Sequence, residues 1–215
     1  MKQFSYPSQV KVVSRYKYWR ELLEHWVFLV ERGYRVTDGQ HAVYAYKERT
    51  NVGLLSASAV VNGWVSLEEC RSEKYASEDG EDVYQGRSDL RIWRDKRHHE
   101  LEAKFLRVPL ISESTTRLDR IDEKAIADAA RSVATGARFD RKIAVTFVVP
   151  MLTATQLEKT SHDNLRSNLK RLLEYIQSTK PHFCASSFPG VGTVSGREHR
   201  RSLGVVLFGR EPNKA

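Results

Sequence analysis

The reading turns on two neighbouring segments. The first is Gly86-Arg87-Ser88-Asp89-Leu90-Arg91-Ile92-Trp93, and the second, past Asp95-Lys96, is His98-His99-Glu100-Leu101-Glu102-Ala103-Lys104-Phe105. Both alternate apolar and polar residues, the period of a strand with one face in a core. With two residues between Tyr84–Arg94 and Arg97–Val108, they read as a β-hairpin, although Asp95-Lys96 is not an ideal turn. Side chains two apart share a face, so Glu100, Glu102 and Lys104 point one way and Leu101, Ala103 and Phe105 the other. Antiparallel pairing brings Asp89 near Glu102. Two converging carboxylates suit a hard divalent cation that takes oxygen ligands and keeps waters. Lys104, one step along, is positioned to act on an attacking water or a phosphoryl oxygen, the layout that metal-assisted phosphodiester hydrolysis requires. The plain alternative is a solvated strand face with cross-strand ion pairs, each worth less than about 1 kcal/mol.

The flanking segments supply a fold around the hairpin. Trp19, Leu22, Leu23, Trp26, Val27 and Val30 predict a helix from about Tyr16 to Glu31, with Gly33 as its C-cap and its aromatic stripe in a core. A second helix is expected from about Ala42 to Asn62, ended by Gly63, and a strand from Trp64 to about Tyr75. The acidic run Ser77–Asp82 reads as a loop, and Asp122–Thr135 as a third helix. Ile143–Val149 is a continuous apolar run of strand length, hence a buried central strand. Ser161 is an N-cap candidate for a helix over His162–Gln177, and two short strands, Phe183–Ser187 and Leu203–Phe208, follow. The order is that of an α/β protein whose mixed sheet is covered by helices. At 215 residues a single domain is expected.

In this setting Asp89, then twelve residues, then Glu102-Ala103-Lys104 resembles the D…(D/E)-x-K signature of the PD-(D/E)XK nuclease superfamily. The order of elements from Ala42 to Val149 resembles that family's helix, strand, hairpin, helix, strand core. Ser88 stands where the eponymous motif has proline, a departure many members share. The resemblance implies a restriction-endonuclease-like fold. Its core covers about residues 42–150, with an N-terminal helical extension over about 14–33 and C-terminal helix and strand additions over about 160–210. It implies a metal-dependent nuclease acting on DNA, with Mg²⁺ (Mn²⁺ as a substitute) held by Asp89, Glu102 and the Ala103 carbonyl, and with Lys104 acting on the nucleophile. The family commonly adds a glutamate on the helix before the first core strand; Glu48 is the first choice, with Glu68 and Glu69 as competitors.

Composition is compatible with this. A hydrophobic content of 40% and a charged content of 29% are those of a folded soluble chain, and the net charge of +8 favours acidic partners, nucleic acid being the commonest. Arg87, Arg197, Arg200 and Arg201 are candidates for phosphate contacts. The glycine-rich Gly190–Gly196 lacks the lysine and hydroxyl residue of a phosphate loop and reads as a loop between strands. His98 and His99 are expected at the surface or in the turn, histidine being untypical for magnesium. Two cysteines, Cys70 and Cys184, with no C-x-x-C pair, give no disulfide framework or zinc site. No secretory signal or membrane span is read, so a cytoplasmic protein is expected. Two other functions compete: an inactive module of the same fold that binds nucleic acid or a protein, and an interaction protein using helix Tyr16–Glu31 against a partner or second copy.

Overall fold

The computed structural model describes residues 4–75, 83–110, 123–124, 126–127, 140–194 and 199–212. Its centre is β5 (Asp140–Thr153), where the apolar run lies. Alternate residues of β5 enter two separate cores: Ile143, Val145, Phe147 and Val149 on one side, Val148 and Leu152 on the other. A strand buried on both faces has no room for polar alternation, which is why it reads as an unbroken apolar run.

Among the described residues nine strands form one sheet. They are β1 (Tyr6–Val12), β2 (Val65–Tyr75), β3 (Val83–Arg94), β4 (Arg97–Pro109), β5, β6 (Phe183–Phe188), β7 (Gly192–Thr193), β8 (Arg200–Ser202) and β9 (Val205–Arg210). The order is β1-β6-β9-β5-β4-β3-β2, with β8 pairing the end of β5 and β7 pairing β8. Only β4 and β5 run parallel, over His98↔Asp140 to Pro109↔Met151; every other pair is antiparallel. A parallel pair needs a crossover, and the expected helix Asp122–Thr135 falls in it. Glu123, Lys124, Ile126 and Ala127 are helical, and Ile126 packs on Ala144; the rest of that helix, like the loop Ser77–Asp82, lies outside the described residues. Helices α1 (Arg20–Val36) and α2 (Glu48–Val61) cover one face and α4 (His162–Ser178) the other, with a short α3 (Ala154–Lys159) after β5. The protein is thus α/β, an open mixed sheet flanked by helices. No helix among the described residues is long and apolar enough to cross a membrane.

Several boundaries differ from those expected, for physical reasons. Residues Ser14–Trp19 form a 3-10 turn, and α1 runs through Gly33 to Val36. Gly33 serves close packing: a Cβ there would lie 3.0 Å from Val43 Cγ2. Helix α2 starts at Glu48, because Val43–Ala45 is a separate 3-10 turn and Lys47 is extended. The last strand region is split by Gly204, whose φ of +156° and 2.0 Å approach of a notional Cβ to the Ser187 carbonyl admit no side chain. Strand β1 and helix α3 were not expected. The signal for α3 was present in Thr153-x-x-Gln156, which forms a capping box. Ser161 caps α4 as expected, accepting from the Asn164 amide. The apolar stripe of α1, with Trp19 of the preceding turn, packs on the chain's own sheet: Trp19, Leu22, Leu23, Trp26 and Val30 are buried.

His99 also departs from expectation. It is fully buried between Tyr18, Trp19 and Trp64, with Tyr18 Oη 3.3 Å from its Nε2. It faces the same core as its hairpin partner Ile92. Burial, aided by Arg141, holds its imidazole down to about 3, against an ordinary 6.5. Between those values the unfolded chain binds a proton that the folded one refuses, so stability rises with pH across the window and falls on acidification. This group alone is expected to remove about 1.4 kcal/mol per pH unit below 6.5 in urea unfolding. His99→Phe should flatten that slope; an unchanged slope in a folded variant would contradict the assignment.

Candidate functional site

The site is built by a hairpin that comes apart. The turn at Asp95-Lys96, with Asp95 at φ 56°, pairs Arg94↔Arg97 and then each residue back to Leu90↔Leu101. There the β3–β4 pairing stops, while β3 continues to pair with β2 as far as Val83↔Tyr75. The β2–β3 pairing is itself interrupted at Glu69 opposite Asp89, with Glu69 at φ 53°. From Asp89 back toward Val83, β3 no longer pairs with β4, and Ala103 has no β3 backbone partner for its N–H and C=O.

Two side chains take up those groups. Asp89 Oδ2 accepts from the Ala103 N–H at 2.6 Å, and Lys104 Nζ donates to the Ala103 carbonyl at 3.0 Å. Both are charge-assisted bonds, stronger than the neutral ladder bonds they replace. The register, continued one step past Leu90↔Leu101, sets Asp89 opposite Glu102. Leu101 and Ala103 enter the core under α1 and α2, so Glu100, Glu102 and Lys104 project from the other face, as expected. Asp89 and Lys104 thereby bond the N–H and the C=O of one residue, Ala103, in two successive peptide groups, with Glu102 the preceding residue. Glu102 is itself buried, 4% exposed.

Glu100 has a different environment. Ser88 Oγ donates to its Oε1, Arg91 lies 3.3 Å from the same oxygen, and Lys142 is its register neighbour on β5. Burial lowers the Lys142 ammonium's pKa, and the Glu100 charge opposes that shift. A buried carboxylate needs such partners. Ser88, Arg91 and Lys142 were missed as parts of this face, since nothing within one strand marks them; only the register across three strands brings them together.

The remaining candidates are scattered. Glu48 is the first residue of α2, on the Leu101–Ala103 side of the sheet, where Arg107 donates to the carbonyls of Ala45 (2.7 Å) and Tyr46. Among the described residues no three His, Cys, Asp or Glu side chains gather at metal-ligand spacing, so Glu48 does not complete a three-carboxylate cluster with Asp89 and Glu102. Glu68 and Glu69 lie on β2, not on a helix; Glu68 Oε1 faces Gly53 of α2, and Glu69 pairs with the exposed Arg87 at 3.5 Å. Arg200 and Arg201 lie on β8 against Thr153 and Leu152, about 20 Å along β5 from Thr146, the register partner of Lys104. Arg197 lies outside the described residues.

A divalent cation would find two carboxylates and a backbone carbonyl, all oxygen donors of the type magnesium accepts alongside retained waters. The donors at Asp89, Glu102 and Ala103 fit it in kind. No protein-family model, curated protein or solved structure matches the chain.

Removing Arg91 takes the guanidinium away from the buried Glu100 carboxylate. Arg91→Met is expected to lower stability at neutral pH by about 3 kcal/mol in urea unfolding, and the double variant Arg91→Met/Glu100→Gln to recover most of that loss. Full additivity of the two changes would show that the pair is not coupled.

Proposed function

We propose that the chain is a magnesium-dependent nuclease of the PD-(D/E)XK kind that hydrolyses phosphodiester bonds in DNA. The finer fold reading, restriction-endonuclease-like, goes with it. It is supported by the succession of α2, β2, the β3–β4 hairpin, a crossover and the parallel strand β5. The observation that carries the proposal is the Ala103 backbone, its N–H donating to Asp89 and its carbonyl accepting from Lys104, next to Glu102 in the chain. An acid of β3 and a lysine of β4 thereby meet at a residue where the β3–β4 ladder is absent.

Bound magnesium, with Mn²⁺ as a substitute, would supply Lewis-acid polarisation of a phosphoryl oxygen and a more acidic water. The carboxylates of Asp89 and Glu102 and the Ala103 carbonyl would hold it. Lys104, already within reach of that carbonyl, would orient the attacking water and stabilise charge developing on the phosphoryl oxygens. Arg87, Arg200 and Arg201 are candidates to hold the nucleic-acid backbone away from the reacting phosphate. With Glu48 on the other side of the sheet, the acidic set is two carboxylates.

A second reading is favoured by the burial of Glu102: a catalytically inactive module of the same fold that binds nucleic acid or a protein. The experiment that separates the two is a panel of labelled nucleic acids incubated with Mg²⁺ or Mn²⁺, beside calorimetry with the metal alone. The nuclease is expected to cleave, and Asp89→Ala and Lys104→Ala, both folded, to lose at least about 100-fold in rate. Equal cleavage by both variants would remove the assignment, and absence of any carboxylate-dependent metal heat would favour the inactive module.

A further inference from the structure

The tip of the β3–β4 hairpin carries a cationic and aromatic surface that the Ala103 site does not use. The tip meets the Ser14–Trp19 turn and the starts of β5 and β6, and guanidinium groups lie over rings there. Arg97 is 4.3 Å from the Tyr18 centroid, Arg15 and Arg141 are 5.6 and 5.8 Å from that of Tyr16, and Arg94 is 5.9 Å from Trp64. The rings form a near-parallel row, with Tyr16 6.0 Å from Tyr18 and Tyr18 6.1 Å from Trp64. Glu211 holds Arg15 at 3.3 Å and Arg141 at 2.5 Å, and Glu21 reaches Arg94 at 3.6 Å. Arg97 and Lys96, both exposed, have no ion pair with any described residue. On the other side of the tip Trp93 and His98, both half-buried, stack at 4.8 Å and 8°.

We infer that this hairpin tip binds a single strand of nucleic acid, its phosphates on Arg97 and Lys96 and a base on the Trp93–His98 stack. An arginine held by a ring rather than by a carboxylate keeps its fork of N–H donors directed outward, already ordered for a phosphate. Cations lie on one side and at the turn of the tip, with a half-buried aromatic pair on the other. They offer a strand that rounds the tip the combination that single strands use, the backbone taking the charge and a base the ring. An acidic peptide would meet the cations but has no planar base for the stack. Arg97 precedes Lys104 by seven residues on β4, about 23 Å, so the surface is separate from the Ala103 site and its binding does not need cleavage.

Anisotropy of a labelled single-stranded DNA of roughly 20 nucleotides, longer than one such site, tests this in EDTA across a salt series. Lys96→Ala/Arg97→Ala is expected to weaken binding about tenfold and to reduce the slope of log K against log salt by about 1.4, the share of two phosphate contacts. Trp93→Ala is expected to weaken it about tenfold with the slope unchanged, since stacking releases no counterions. Thermal melting checks that each variant folds, and Trp93→Leu replaces Trp93→Ala if that one does not. Wild-type affinity and slope in both variants would overturn the inference, as would polyglutamate competing as well as unlabelled strand at equal charge. If the tip variants lose binding and the parent never cleaves with Mg²⁺, this surface stands and the nuclease reading falls; cleavage with unaltered binding gives the reverse.

Discussion

The structure around the Ala103 peptide depends on a missing stretch of ladder. A strand inside a sheet spends its N–H and C=O groups on its neighbours, and a polar group left in a dry interior is costly. Strand β4 meets that requirement toward β5 along its whole length, but toward β3 only as far as Leu101. At Ala103 the requirement passes to side chains, an acid accepting from the N–H and a base donating to the C=O of this one residue. The β2–β3 pairing is itself interrupted alongside, at Glu69 opposite Asp89, where Glu69 has a positive φ.

The neighbouring carboxylates separate into two environments on one strand face. Glu100 is paired with Arg91, accepts from Ser88 and lies beside Lys142, its own backbone within the paired part of the hairpin. Glu102 lies just past the end of that pairing, next to the Ala103 peptide. Acidic residues two apart thus differ in setting: one, within the paired part of the hairpin, bonds Ser88 and Arg91, and the other lies where β4 has lost its β3 partner. The same separation accounts for the two histidines, since His99 faces the aromatic core and His98 stacks on Trp93 on the opposite face. Alternation places them apart although they are adjacent in the chain.

Large parts of this arrangement were legible in the residues. The hairpin, the inward Leu101 and Ala103, the outward Glu100, Glu102 and Lys104, the buried β5 and the capped α4 all rest on short-range periodicity or on one capping side chain, and such signals do not depend on the rest of the chain. Strand β1 was not legible because Tyr6–Val12 is an edge strand with little alternation, defined by its pairing with β6. The course of α1 through Gly33 was hidden too, because that glycine answers to Val43, a residue outside the helix.

By itself, then, the sequence determined the local elements and the sides on which their residues face, because backbone geometry converts spacing directly into direction. Tertiary structure alone decided which strands pair and where pairing stops. It left Glu48 across the sheet from Glu102, it surrounded Glu100 with Ser88, Arg91 and Lys142, and it buried His99 among aromatic rings. Those outcomes come from strand register, crossover and packing between segments far apart in the chain, and no period within a single segment encodes them.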